Sequence, residues 1–310
     1  MKNTTKVTFA FINCNRLHYL RSCLESFLDC TEDYDNKEII IVDNASKEDG
    51  TNEYLESLEE RGFKVFRQQQ RDPSNEYAKA LNIVAENATG RFIAPIPADV
   101  QFVVKGGWLK KYVEFFQKYE DTTGCISFDA QRTIRNATGT YSNVLGDGDF
   151  KFLYHYNRNP IMGAMNCMVT KEVLDMLYPW ETENRSHEGG EDSETKMLKK
   201  IAQMINSKSL KLFYCAPILP VSVGIFNEKG GNARVRGNFR YGDYWSPRDK
   251  GGKYYYKVHN FKEIVSKYSN EVRPVSIEDV SESIGWKLPL DENGQWIKKK
   301  NSSDVPGTPV

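Results

Sequence analysis

The chain has 310 residues, of which 39% are hydrophobic and 27% are charged, enough for one large globular domain or two small ones. Its 42 lysines and arginines balance its 42 aspartates and glutamates, which excludes the overall basic surface typical of nucleic-acid-binding proteins. No apolar run approaches the roughly 18 residues of a membrane span, and the N-terminus lacks the apolar region of a signal peptide, so we expect neither a nucleic-acid partner nor a transmembrane segment.

The first hundred residues alternate short apolar runs with amphipathic stretches. Val7–Ile12 predicts a strand, and the apolar stripe of RLHYLRSCLESFLDC predicts a helix. The same criteria predict strands at 38–42, 63–66 and 91–96 and helices at 51–60 and 75–88. This βαβαβαβ order predicts an α/β fold with a mostly parallel central sheet flanked by helices on both faces.

The second half is less regular. We predict a helix at 108–119, a strand at 125–130, a hairpin with a long loop in 131–160, a strand in 162–170, a short helix at 171–177 and a helix opening near residue 191. After about residue 224 the chain becomes rich in glycine, arginine and tyrosine. We therefore expect one domain at residues 1–225 and a C-terminal extension at 226–310, made of a basic aromatic loop, a helix and a polar tail.

Cysteine usage and glycosylation sequons bear on the cellular compartment. The six cysteines show neither a CxxC motif nor metal-ligand spacing, so we expect reduced, mostly buried thiols: Cys14, Cys23, Cys30, Cys125, Cys167 and Cys215. One of the six N-x-S/T sequons begins at Asn44, in a candidate binding loop that a glycan would block. Both features favour a cytoplasmic location.

Ligands bind an open parallel sheet at the carboxyl ends of its strands. Acidic residues occur at or near three such positions in this chain. Asp43 follows the apolar run EIIIV, Asp99 follows FIAPIP, and Glu191 and Asp192 open a predicted helix. Each position also has a structural explanation. Asp43 could make an Asx-turn, Asp99 could cap a turn, and the Glu191–Asp192 pair could interact favourably with the helix dipole. Their joint occurrence in an alternating α/β chain favours a functional site.

Four segments carry a resemblance to a known family: VTFAFINCNRLHYLRSCLESF, EIIIVDNASKEDGT, NEYAKALNIVAENATGRFIAPIPADV and GGEDSETKMLKK. Within residues 7–200 the chain resembles the GT-A fold, nucleotide-sugar-dependent glycosyltransferases of the family 2 type, and the GGED stretch is also similar to a galactosyltransferase motif. The resemblance implies a catalytic domain at 1–225. It also implies an inverting transfer of a sugar from a nucleotide diphosphate, with UDP as the expected carrier, to a hydroxyl on a glycan or similar acceptor.

The resemblance implies a role for each matching residue. Asp192 would be the general base for the acceptor hydroxyl, with Glu191 beside it positioning that hydroxyl. Asp43 would accept from the edge of the nucleotide base. The donor-binding residues implied by the matching positions are Asn13, Asn15, Asp43, Asn44, Ser46, Lys79, Asn82, Ala98 and Asp99.

A divalent ion, Mn²⁺ or Mg²⁺, is implied as cofactor because a hard cation stabilises a diphosphate leaving group. Asp99 matches the family's metal-binding aspartate, and Gln101 offers a neutral oxygen. The chain departs from the family pattern where Pro97 replaces a first aspartate and where PILPVSVG lacks a metal-binding histidine. Glu76 also stands where the family often has glycine.

Residues 227–253 carry seven cationic and three acidic side chains, a net charge of +4. One interpretation is a solvated loop. The other is a lid that closes on the donor, in which Arg234 and Arg236 contact its phosphates.

Two other functions compete with sugar transfer. The missing aspartate and histidine are compatible with a catalytically inactive protein of the same fold that binds sugar nucleotides or glycans. A dinucleotide-dependent oxidoreductase would need a glycine-rich first βα turn, and FINCNRLHYL contains no glycine.

Overall fold

A computed structural model describes the N-terminal two thirds of the chain in most detail. It covers residues 5–15, 17–102, 104, 106–120, 123–128, 143–147, 150–156, 166–183, 193, 196, 197, 199, 200, 203, 213–217 and 221–224. The C-terminal extension expected at 226–310 lies outside the described residues. Among the described residues, no helix is long and apolar enough to cross a membrane.

Five helices and eleven strands have defined bounds in the described part of the chain. The helices are α1 (Leu17–Cys30), α2 (Thr51–Glu60), α3 (Glu76–Asn87), α4 (Trp108–Lys118) and α5 (Lys171–Leu177). The strands are β1 (Val7–Asn13), β2 (Lys37–Asp43), β3 (Lys64–Arg67), β4 (Phe92–Pro97), β5 (Val100–Phe102), β6 (Thr123–Ser127), β7 (Asn143–Asp147), β8 (Phe150–Tyr156), β9 (Cys167–Thr170), β10 (Phe213–Pro217) and β11 (Ser222–Gly224). The described residues among 193–203 are helical as well.

Nine strands form the main sheet in the order β3-β2-β1-β4-β9-β6-β10-β8-β7. The four N-terminal strands, β1 to β4, are parallel to one another, whereas β9 runs antiparallel to both β4 and β6. The strands β5 and β11 form a separate antiparallel pair. The predicted α/β class, with a parallel sheet built from the first four strands and helices around it, is confirmed.

Alternate residues of the buried strands pack on opposite faces of the sheet, as the two-residue period of a strand requires. Phe9 and Phe11 of β1 join an aromatic cluster with α1 and α4 that includes Trp108. Ala10 and Ile12 instead face α3 and α5. The near-continuous apolar runs of β1 and β2 therefore reflect burial on both faces.

Two prolines lie in β4, a central strand where a missing N–H normally costs a ladder hydrogen bond. The carbonyl of Pro95 accepts from Asn166 N at 2.9 Å, on the β9 side. Ala98 N donates to Ile12 O at 3.1 Å, on the β1 side. Because residues two apart in a strand face the same neighbour, Pro95 and Pro97 both direct their missing donor away from β1. The β1–β4 ladder therefore stays intact up to the candidate site.

The chain adds structure that the sequence patterns do not predict. The strands β5, β10 and β11 were not predicted, and the hairpin expected in 131–160 is formed by β7 and β8, whose register pairs Asp147 with Phe150. Only two residues separate these partners, so the connection is short where a long loop was expected. Such pairings depend on contacts far along the chain rather than on local periodicity.

A buried carboxylate anchors the amino end of the sheet, opposite the candidate site. Glu38 is 8% exposed. It accepts from Thr8 Oγ1 at 2.5 Å, Lys64 Nζ at 2.7 Å, and Thr89 N and Oγ1 at 2.8 and 2.9 Å. Burial acts to raise the pKa of this carboxyl, but the hydrogen bonds from Lys64 and the two threonines outweigh it and lower the pKa to about 2.

We expect Glu38→Gln to lower the free energy of unfolding at pH 7 by about 2 kcal/mol, because charge-assisted bonds to a buried group are lost. The folded-state pKa lies below the usual value of 4.5, so this stabilisation is present above pH 4.5 and declines as pH falls towards 2. Urea unfolding at pH 7, 5 and 3.5 measures the difference. Glu59→Gln, at an exposed carboxylate paired with Arg67, is the matched control and should change stability far less. If the loss of stability in Glu38→Gln were the same at all three pH values, the lowered pKa of Glu38 would be contradicted.

Candidate functional site

The carboxyl ends of β1 and β2 are joined by a knot of hydrogen bonds among Asn13, Asp43 and Ser46. Asn13 Nδ2 donates to Asp43 Oδ1 at 3.0 Å, and Ser46 donates from Oγ to Oδ1 at 2.5 Å and from N to Oδ2 at 2.8 Å. Asn13 and Asp43 are 2% and 3% exposed. Asp43 thus caps the turn after β2 through the main chain three residues on, rather than two residues on as in an Asx-turn. Its Oδ2 accepts only one hydrogen bond from the described residues and keeps acceptor capacity.

Two residues with positive φ shape the loops around this knot. Asn15 and Ala45 both have φ of 53°, a left-handed conformation that asparagine tolerates better than most residues. Asn15 N donates to Ser46 Oγ at 2.6 Å, and Asn15 Oδ1 accepts from Lys47 N at 2.7 Å. The loops after β1 and β2 are therefore locked to each other, which brings Asn13, Asn15, Asp43 and Ser46 together as the sequence predicted for neighbouring strand ends.

The end of β3 contributes a residue that sequence reasoning missed. Gln68 N donates to Asp43 O at 2.9 Å, and the Gln68 side-chain amide donates to Asn44 Oδ1 and, at 3.4 Å, to Glu76 O. Gln68 therefore ties the buried Asn44 to the start of α3. Gln68 could have been predicted as a site residue from its position directly after a predicted strand, at the same edge of the sheet as Asp43.

Asp99 lies beyond the end of β4, beside the first helix. The Cys23 thiol donates to Pro97 O at 3.9 Å, and burial, together with the nearby charge of Asp99, raises the pKa of that thiol well above its usual value. The bond from Ala98 N to Ile12 O, at 3.1 Å, fixes this turn against β1. Ala98 and Asp99 thus share the carboxyl edge of the sheet with the Asn13–Asp43 knot.

Two cationic side chains flank the start of α3, and each is paired with an acid. Lys79 Nζ lies 2.7 Å from Asp72 Oδ2, and Arg71 Nε lies 3.0 Å from Glu76 Oε2. The hydrogen bond from Lys79 lowers the pKa of Asp72. These pairs are half-exposed, so a polyanionic ligand at this edge could exchange partners with them at small cost.

Asn82 is placed differently from Lys79 on the same helix. Its Nδ2 donates to Trp180 O at 2.9 Å, and its Oδ1 accepts from Trp180 N at 2.7 Å. Both ends of the amide thus hold α3 against the segment after α5. The structure gives Asn82 a packing function, and its predicted contact with the donor is not tested.

Several predicted site residues lie outside the described part of the chain. These are Glu191, Asp192, Arg234, Arg236 and the side chain of Gln101. Among the residues that the structure does describe, no three His, Cys, Asp or Glu side chains form a group able to hold a metal ion. The assignment of Asp99 as a ligand of the implied Mn²⁺ or Mg²⁺ remains a prediction.

The sheet and the polar residues at its carboxyl edge define an open α/β protein of the class that binds ligands at the ends of its parallel strands. A family model described as Glycosyl transferase family 2 matches residues 8–175, which is more than half of the chain. The protein therefore belongs to glycosyl transferase family 2, and the predicted resemblance to that family is confirmed. The GGED stretch lies beyond the matched residues, and its similarity to a galactosyltransferase motif remains a prediction. The match includes β1 to β4 and hence Asn13, Asp43 and Asp99.

Two solved structures are similar to part of this chain. The mannosyltransferase PcManGT from Pyrobaculum calidifontis, in complex with GDP-Man and Mn²⁺, is 20% identical, with a TM-score of 0.46 over 66% of this chain and 53% of that chain. Residues 1–349 of S. aureus TarS with UDP are 15% identical, with a TM-score of 0.45 over 64% of this chain and 55% of that chain. The matched region thus spans about half the length of these structures. A comparison with curated proteins finds no match.

Proposed function

We propose that the protein is an inverting glycosyltransferase that moves a sugar from a UDP-sugar to a hydroxyl group of a glycan or similar acceptor. The observation that carries the proposal is the Asn13–Asp43–Ser46 knot at the carboxyl edge of the sheet, with Asp99 on the same edge. A buried carboxylate with remaining acceptor capacity can accept the N–H of a uracil edge. Membership of family 2 supports the reaction class.

The reaction places different demands on the two ends of the donor. At the base, Asp43 accepts a hydrogen bond and the fixed loops exclude water. At the diphosphate, Lys79 and Arg71 are cations within the same edge of the sheet, and their acid partners can be replaced by phosphate oxygens. Arg234 and Arg236 are proposed to contact the phosphates as well.

Transfer itself is a single displacement. The acceptor oxygen attacks the anomeric carbon, its proton passes to the Asp192 carboxylate, and the bond to the nucleoside diphosphate breaks with that group as the leaving group. A hydroxyl is a weak nucleophile, so a positioned carboxylate base is what the step needs from the protein. Glu191 would orient the acceptor hydroxyl.

Asp99 would hold a divalent ion here only together with the donor phosphates, because Pro97 supplies no oxygen side chain in place of the family's first aspartate. When bound, Mn²⁺ or Mg²⁺ would neutralise charge on the leaving group. The expected consequence is weak binding of free metal and stronger binding together with the nucleotide.

The test is hydrolysis and transfer with a panel of UDP-, GDP- and other nucleotide sugars, each with and without EDTA. We expect release of UDP from at least one UDP-sugar and a reduced rate with EDTA. Release from a GDP-sugar alone would overturn the choice of nucleotide. Turnover untouched by EDTA would overturn the assignment of Asp99 as a metal ligand.

A second candidate is a catalytically inactive protein of the same family that binds sugar nucleotides or glycans. Pro97, in place of a carboxylate, is the observation that favours it. The same panel separates the two, because an inactive protein would bind UDP in calorimetry and release none from any donor.

We expect Asp43→Asn to weaken UDP binding by about 1–3 kcal/mol, or roughly 5- to 150-fold, since a charge-assisted hydrogen bond to the base is lost. Calorimetry measures the affinity, and thermal unfolding shows how much of the protein stays folded. Asp175→Asn, at an exposed carboxylate of α5 paired with Lys171, is the matched control and should bind UDP like the unmodified protein. Equal affinity in Asp43→Asn would mean that Asp43 serves only the turn.

A further inference from the structure

Asn166, directly before β9, is a buried polar residue in an unusual backbone conformation. It is 3% exposed and has φ of 48°. Its N–H donates to Pro95 O at 2.9 Å, and its carbonyl accepts from Phe128 N at 3.1 Å. The main chain of Asn166 therefore connects the end of β4 with the end of β6.

The side chain of Asn166 extends this connection to β11. Asn166 Nδ2 lies 3.1 Å from Ser222 Oγ and donates to it, and Ser222 Oγ can instead donate to Asn166 Oδ1 at 3.4 Å. Ser222 is fully buried. Phe128 O also accepts from Val221 N and Ser222 N, at 2.9 and 3.0 Å. Three buried residues thus form a closed set of hydrogen bonds at the carboxyl edge of the sheet.

The strand held by Ser222 is the partner of the strand that follows Asp99. Ser222 pairs with Phe102, and Gly224 pairs with Val100, the residue next to Asp99. The pair β5–β11 is not part of the main sheet, so its alignment with β4 depends on contacts of this kind. A second contact ties β5 to the first helix, because Phe102 N donates to Ser26 Oγ of α1 at 3.1 Å.

We propose that Asn166 is a positioning residue: its buried hydrogen bonds to Ser222 hold the β5–β11 pair, and with it Asp99, in place at the edge of the main sheet. The significance of Asp99 rests on the proposed transfer reaction. A buried amide that makes its bonds in a strained backbone conformation persists only where the surroundings require it. Here the requirement is to join four strands that are far apart in sequence.

The test is a double-mutant cycle of Asn166→Gly and Ser222→Ala. Glycine adopts positive φ freely and keeps both main-chain bonds of residue 166, so this change removes the side-chain bonds alone. Backbone amide exchange is measured for β5 and β11, with β1 and β2 as internal references. We expect about tenfold faster exchange at 100–102 and 222–224 in each single variant, no further change in the double variant, and unchanged exchange in β1 and β2.

The second readout separates positioning from simple stability. We expect the kcat of the folded variants to fall about tenfold, while their affinity for UDP in the presence of EDTA stays within about twofold, because the proposed contact to the base comes from Asp43 rather than Asp99. Unchanged exchange at β5 and β11, or faster exchange with unaltered kcat, would overturn the proposal. If the unmodified protein transfers no sugar, the proposed function is wrong. The exchange experiment would still decide whether Asn166 holds the β5–β11 pair.

Discussion

Asp192→Asn is expected to lower sugar transfer by roughly 100-fold or more, because the amide keeps the shape of the side chain and cannot take the acceptor's proton. The affinity for UDP should stay within about twofold, since the proposed contacts to the base and phosphates come from other residues. Initial rates with the best donor of the panel, together with calorimetry, measure both quantities.

The matched control for this variant is Asp175→Asn, which makes the same chemical change at an exposed carboxylate of α5 and should leave turnover unaltered. A lower rate together with lost UDP affinity would show a folding or binding defect rather than loss of a base. Near-normal turnover in Asp192→Asn would remove this residue from the proposed mechanism, whatever the fold.

Gly90→Ala is expected to lower the free energy of unfolding by about 3 kcal/mol, the upper part of the range for overpacked sites. A Cβ at residue 90 would lie 2.6 Å from Thr8 N, 2.7 Å from Thr8 Oγ1 and 2.8 Å from Phe92 O. Two of these atoms belong to strand backbones, which cannot move without disturbing the β1–β4 ladder. Urea unfolding followed by tryptophan fluorescence measures the loss.

Gly62→Ala is the matched control, because it separates steric crowding from backbone conformation. Gly62 has φ of 84°, and an added Cβ there would meet nothing within 4 Å. We expect a loss of about 1 kcal/mol from the left-handed conformation alone. A loss at Gly90 no larger than the loss at Gly62 would mean that the backbone of Thr8 moves aside readily.

Gly90 also shows where local sequence reasoning reached its limit. The pair Thr89-Gly90 correctly predicted the end of α3, through the common role of glycine after a helix. Gly90 is not among the glycines with positive φ, however, and the helix is followed by Ala88 in an extended conformation. Glycine is required there because β1 approaches closely, and that approach is a property of the folded sheet.

Local sequence patterns were enough to predict the order β1-α1-β2-α2-β3-α3-β4, the burial of the strands on both faces, and the grouping of Asn13 and Asp43 at one edge. Periodicity and turn chemistry are local, so they can be read from a few neighbouring residues. The family motifs lie on these same elements. The proposed general base and lid were also sequence predictions, and they remain predictions.

Three features became visible only in the folded chain. They are the fit of Pro95 and Pro97 in a central strand, the place of Gln68 in the site, and the connection from β4 through Asn166 to β11, the partner of the strand after Asp99. The pairing of Val100 with Gly224 joins residues more than a hundred positions apart. Closing so long a stretch of chain costs entropy that is repaid only when many elements pack together. Short segments such as β5 and β11 therefore carry no local signal of their partners.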